Sequence, residues 1–188
     1  MWYVIHSKAG KENIIKIEIE KLVPREAYDE IKIISSVRRR KYGGVWKEEA
    51  KRLFPGYIFV ITDNAEKMHE CLKKVPNYTR ILGDEEGFIP ILPEEERLLK
   101  KLIARTEREK QKGKIDWQIS NSNGKKSDAE PTDDLIGMSY GVIENDEVVV
   151  ADGPLKGFEG RIVKIDRHKR EVYLDIPFLG ELRRIRPG

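Results

Sequence analysis

The sequence predicts two small domains, an α+β domain followed by an all-β barrel, and three observations predict them. Up to about Lys112, β-rich apolar runs alternate with stretches of helical spacing. From Gly113 to Asp134 the composition shifts to Asn, Ser, Gly, Lys, Asp and Pro, which buries too little apolar surface to offset the entropy of ordering. From Glu147 onward come short alternating runs, "EVVVADG", "EGRIVKID", "EVYLDIPF" and "ELRRIRP", separated by turns. Such a segment hides its edges by closing into a barrel. The expected boundaries are 1–112 for the first domain, 113–142 for a flexible linker with Trp117 and Ile119 as candidate anchors, and 143–188 for the second domain.

The opening "WYVIHS" reads as a strand. The next segment, "KENIIKIEIEKLVP", fits two templates. Ile15, Ile17 and Ile19 alternate like a strand, whereas Ile15, Ile19 and Leu22 share a helical face and Glu12 pairs with Lys16 at i,i+4. Pro24 ends either element. Glu30 to Val37 and "LFPGYIFVIT" read as strands, and the basic, Gly-Gly-containing stretch between them as a hairpin loop or mobile insertion. Asp63 and Glu66 have the spacing of a capping box, and Met68, Cys71, Leu72 and Val75 then fall on one helical face. "TRILG" supplies another strand. Pro93, three glutamates and the leucines behind them start a third helix, with proline at its first position and acids in its positive first turn.

The 188 residues carry 37% charged side chains, which suits two surface-rich domains better than one large core. No 18-residue apolar run and no signal-peptide pattern is readable, so a cytoplasmic protein without a membrane partner is expected. The short end at "RPG" leaves little sequence to close the barrel, as expected of a shortened C-terminus. Net charge is only +3, so clusters matter more than the total. Val37 to Arg52 has seven Lys/Arg against two Glu, and Arg161 to Gly188 has eight against four Asp/Glu. Catalysis is not expected: the single Cys71 lacks a partner, His6, His69 and His168 are scattered, and neither a metal nor a cofactor set is readable. Gly153, Gly157 and Gly160 in "DGPLKGFEG" serve tight turns, since the segment lacks the ending and the helix of a phosphate loop.

Taken together, "WYVIHSKAGKE", "LFPGYIFV" and "VPNYTRILG" resemble the N-terminal domain of the NusG family of transcription elongation factors, and "DEVVVADGPLKGFEGRIVKIDRHKREVYLDIPFLG" resembles the KOW domain that follows it. The resemblance implies a ferredoxin-like α/β sandwich joined by a flexible linker to a small SH3-like five-stranded β-barrel, and it makes the segment after the first strand a helix. It also implies a monomeric, non-enzymatic factor that binds the clamp helices of RNA polymerase. His6, Tyr57 and Phe59 are the expected aromatic contact, with Met68 and His69 near the opposite jaw. The family's barrel reaches a second partner, such as a ribosomal protein, a termination factor or RNA.

Two departures resemble the specialised NusG paralogs of the LoaP type, which antiterminate particular operons and recognise an RNA hairpin in the leader transcript. The loop from Asp166 to Arg170 and the strand "ELRRIRPG" are both basic. Lys164, Arg167, His168, Lys169, Arg170, Arg183, Arg184 and Arg186 are therefore the expected RNA contacts, by phosphate pairing and by stacking on an unpaired base. Arg38, Arg39, Arg40 and Lys41 are candidates for phosphates of upstream DNA or emerging RNA.

Overall fold

The computed structural model describes residues 1–76, 80–111, 134–145 and 147–187, with the side chains of 105–111 left out. The linker reading for 113–133, including the anchors Trp117 and Ile119, lies outside the described residues. The chain divides into two compact units, Met1–Ile33 with Phe54–Glu96, and Ile34–Leu53 with Arg97–Gly188.

In the first unit, β1 (Trp2–His6), α1 (Glu12–Leu22), β2 (Glu30–Lys32), β5 (Tyr57–Ile61), α2 (Ala65–Leu72) and β6 (Arg80–Ile81) follow in the order βαββαβ. The intervening strands β3 (Ile34–Tyr42) and β4 (Val45–Arg52) belong to the second unit. The antiparallel sheet runs β2-β5-β1-β6, the ferredoxin-like arrangement. Tyr3, Ile5, Ile58, Val60 and Ile81 from the sheet pack with Ile15, Ile19, Met68 and Leu72 from the helices.

Burial decides the segment that fitted two templates. Ile15 and Ile19 are wholly buried, while Ile17 is 50% exposed, so the helical face wins over the alternating one. At its start the buried Glu12 carboxylate accepts the N–H of Gly56 at 2.6 Å and that of Gly10 at 3.0 Å. Gly56 has φ +83, and a Cβ there would lie 3.0 Å from the Ser7 carbonyl oxygen, so the turn needs glycine twice over. For α2 the expected box at Asp63 and Glu66 does not form. Asn64 is the cap, its side-chain oxygen accepting the Lys67 N–H at 2.8 Å, and Asp63 sits 3.5 Å from the N-terminal amine instead. α3 (Pro93–Gln111) begins as expected, with the buried Glu95 reaching back to the N–H of Leu92 at 3.2 Å.

The expected strand from Glu30 to Val37 is two strands. Ile31 and Ile33 bury in the first unit's core, and Ile34 opens a run of consecutive buried residues that one-sided alternation cannot produce. The chain continues as β3 (Ile34–Tyr42), which pairs with β4 (Val45–Arg52) through Gly43 and Gly44, both at positive φ. The stretch expected as a loop or mobile insertion is thus a long regular hairpin. On its other edge β3 pairs in parallel with β7 (Asp134–Ile136), a strand inside the span assigned to the linker.

Among the described residues, the rest of the second unit holds five strands. β8 (Tyr140–Glu144) and β9 (Glu147–Asp152) form a hairpin; β10 (Ile162–Asp166), β11 (Glu171–Phe178) and β12 (Glu181–Ile185) form an antiparallel meander. Leu174, Ile176, Phe178 and Ile185 are buried, so alternate positions of β11 face inward.

Candidate nucleic-acid interface

Opposite charges meet at two rungs of the β3–β4 ladder, Arg38 opposite Glu49 and Arg39 opposite Glu48, while Arg40 lies opposite Lys47. Between Arg39 and Glu48, Nη2 and Nε of the arginine donate to Oε1 of the glutamate at 3.0 and 3.1 Å. Arg40 reaches Glu49 at 3.8 Å, and Lys51 and the Tyr42 hydroxyl lie 3.5 and 3.1 Å from the same carboxylate. The register puts Arg38, Arg40, Glu49 and Lys51 on one face and Arg39, Lys41, Trp46 and Glu48 on the other.

The turn between β10 and β11 is built by Asp166. Its Oδ1 accepts the N–H of Lys169 at 3.0 Å, and its Oδ2 is 3.4 Å from Lys169 Nζ. That backbone hydrogen bond, with smaller help from the Lys169 side chain, holds the Asp166 carboxyl below its ordinary pKa. Arg167, His168, Lys169 and Arg170 are exposed at the tip. Arg170 has φ +56, and its guanidinium carbon lies 4.5 Å from the centre of the Trp46 ring.

Between the hairpin and this turn runs a groove of about 480 Å³, lined by Arg38–Lys41, Trp46, Glu49, Lys51, His168, Lys169, Glu171 and Arg186. Seven Lys/Arg face two glutamates there. Arg38 is half-buried, and burial, followed by repulsion from Arg186, lowers its guanidinium from the ordinary value. Arg186 lies 3.7 Å from Glu171, with its guanidinium 5.8 Å from the Tyr173 ring centre.

The groove brings together two basic stretches distant in sequence, but not every residue expected to touch RNA. Lys164 lies over Tyr173 at 5.5 Å, outside the groove lining. Arg183 is on the inward face of β12, 5.7 Å from the Phe178 ring centre, and Arg184 is held by both oxygens of Asp175 at 2.7 and 2.9 Å. Trp46, Glu49, Lys51 and Glu171 were not singled out from the sequence. The Gly-Gly pair between two runs was the available signal for the hairpin that carries the first three.

In the first unit, His6 and Tyr57 are direct ladder partners with ring centres 5.9 Å apart, one exposed and the other half-buried. Phe59 shares their face but is wholly buried, edge-on to Phe54 at 5.5 Å and to Trp2 at 6.1 Å. Met68 is also wholly buried, pointing into the core. The expected aromatic surface therefore contracts to His6 and Tyr57, because mid-strand Phe59 and inward-facing Met68 are packing residues. His69 is half-buried, 5.0 Å from Phe88, and its Nδ1 is buried without a hydrogen-bond partner among the described residues.

Among the described residues no group of three or more His, Cys, Asp or Glu is arranged to hold a metal ion, and no helix is long and apolar enough to cross a membrane. Cys71 is half-buried and packs against the core.

Comparison with known proteins agrees with this architecture. Residues 1–100 match the family model described as transcription termination factor NusG, and residues 144–175 match the KOW motif. The transcription termination/antitermination protein NusG of Halalkalibacterium halodurans is 24% identical over 95% of this chain and 89% of its own length. The protein of the same name from Bacillus subtilis is 25% identical over the same shares. A solved structure concerned with domain interaction in Thermotoga maritima NusG covers 98% of this chain and 91% of its own, with a TM-score of 0.51 and 20% identity, a likeness of fold. With its ferredoxin-like unit, its KOW strands and a family match across more than half its length, the chain belongs to the NusG family of transcription termination and antitermination proteins, which are transcription factors and not enzymes.

Proposed function

We propose that this chain is an elongation and antitermination factor that holds RNA polymerase through its first unit and an RNA hairpin of the nascent transcript through the basic groove, promoting read-through of particular operons as a cytoplasmic monomer. One observation carries the reading. The groove gathers seven Lys/Arg, His168 and Trp46 from the hairpin, the β10–β11 turn and the residue after β12. Such a set offers phosphate pairing together with an aromatic surface for an unpaired base. Polymerase contact is assigned to the strand face of His6 and Tyr57, with the clamp helices as the expected target, and His69, on the helix α2 that packs against the sheet's other face, is a separate candidate contact.

Leu182, 76% exposed after the turn that follows β11, favours a second reading in which the barrel end takes a ribosomal protein or termination factor. Upstream DNA is a further candidate for the phosphates opposite Arg38–Lys41.

The test is a crosslink map of the full chain on transcribing polymerase. The proposal expects transcript crosslinks at the peptides of Arg38–Lys41 and His168–Lys169, and polymerase crosslinks at those of His6 and Tyr57. Protein crosslinks at Leu182 with no transcript in the groove would replace the first reading by the second.

A further inference from the structure

Ser36 joins β3, which supplies Arg38, to the chain just past β12, which supplies Arg186. Its buried hydroxyl donates to the Arg186 carbonyl at 3.1 Å and accepts Arg38 Nε at 3.4 Å. Two residues bearing guanidiniums are thus anchored at one point, and each charge is unfavourable to the other. The nearby acids are already engaged. Glu171 faces Arg186 and accepts the Tyr173 hydroxyl at 3.5 Å; Glu49 faces Arg40, Lys51 and Tyr42. Beyond Nε, the Arg38 guanidinium has no hydrogen-bond or ion-pair partner among the described residues. A planar fork with free donors, next to a like charge and partly withdrawn from water, is arranged for a tetrahedral anion that can accept from both.

The geometry points to a phosphate clamp beside Ser36, in which Arg38 and Arg186 together hold one phosphate group, a backbone diester when nucleic acid fills the groove and free phosphate otherwise. This deepens the reading of the groove as a nucleic-acid site and rests on it for the diester. It also divides the labour among the cations. Exposed Arg40, Lys41 and Lys169 attract a polyanion without fixing it, whereas the clamp gives a single phosphate a fixed address and so sets the strand's register.

Two arms test it on the full chain. In the first, inorganic phosphate is titrated at low ionic strength while the arginine Nε–Hε signals are followed by NMR. A saturable shift at Arg38, lost in Arg186→Met and kept in Arg40→Met, is expected, together with a matching shift at Arg186 that Arg38→Lys abolishes. In the second, an RNA hairpin carries one neutral methylphosphonate, moved position by position. One position should weaken wild-type binding by about tenfold or more and leave Arg38→Met binding unchanged. Arg38→Met should also flatten the salt dependence by about one slope unit. Hairpin binding in which every methylphosphonate acts alike, with no saturable shift at Arg38, overturns the clamp and leaves the groove reading standing. Phosphate capture without any hairpin binding does the reverse.

Discussion

The guanidinium of Arg170 lies 4.5 Å from the centre of the Trp46 ring and so fastens the β10–β11 turn to the β3–β4 hairpin. Arg170 is exposed, so its attraction to the ring is worth about 0.5–1 kcal/mol. A double-mutant cycle of Trp46→Leu and Arg170→Met, followed by urea unfolding, should return a coupling energy of about that size. Additive single effects would show that the contact does not hold the turn in place. Arg170→Gly should cost less than Arg170→Met, because glycine adopts the φ of +56 without strain.

A second prediction concerns the first unit. Glu12→Ala strips the acceptor from the N–H groups of Gly10 and Gly56, the latter bond being buried. The expected loss is about 1–3 kcal/mol in urea unfolding, with Glu12→Gln costing less because its amide oxygen still accepts. Equal losses for both variants would mean that volume, and not hydrogen bonding, fixes the loop.

These two sites differ in how far the sequence disclosed them. The strands and helices of the first unit were legible because they carry apolar periodicity, while the family resemblance gave their ferredoxin-like arrangement and decided α1 where Ile15, Ile17 and Ile19 fitted two templates. The hairpin was not legible as strands. Its stability lies in pairs such as Arg39–Glu48, which exist only once the register is set, and charged strands lack the apolar alternation that marks a strand. The three residues of β7 vanished into polar surroundings for a similar reason, being too few to show a period. Tyr57 and Phe59 were placed on the correct shared face, yet sequence spacing could not say that Trp2 and Phe54 would close over one and leave the other half-open.

A third prediction follows from Arg184. Its two hydrogen bonds to Asp175, and then its charge, hold that carboxyl below the ordinary aspartate value. The folded pKa is depressed, so the pair's contribution is present above the unfolded value of about 3.9 and fades as pH falls through the folded one. The pair is open to solvent, so the change in stability is small and the titration itself is the useful readout. In a carboxyl NMR titration Asp175 should titrate below the ordinary range in the wild type and return to it in Arg184→Met. An unchanged midpoint would mean that Arg184 is not committed to Asp175 and stands free to meet a ligand.

The backbone passes between the two units three times, after Ile33, after Leu53 and after Glu96. No single scission can part them cleanly. A fragment beginning at residue 113 would keep Arg186 and lose Arg38, while its complement would keep the converse, so deletion mapping by the usual head-and-tail halves would find both pieces deficient and credit neither. Dissection of this molecule calls for excising the hairpin as a unit, or for mixing the halves and asking whether activity returns.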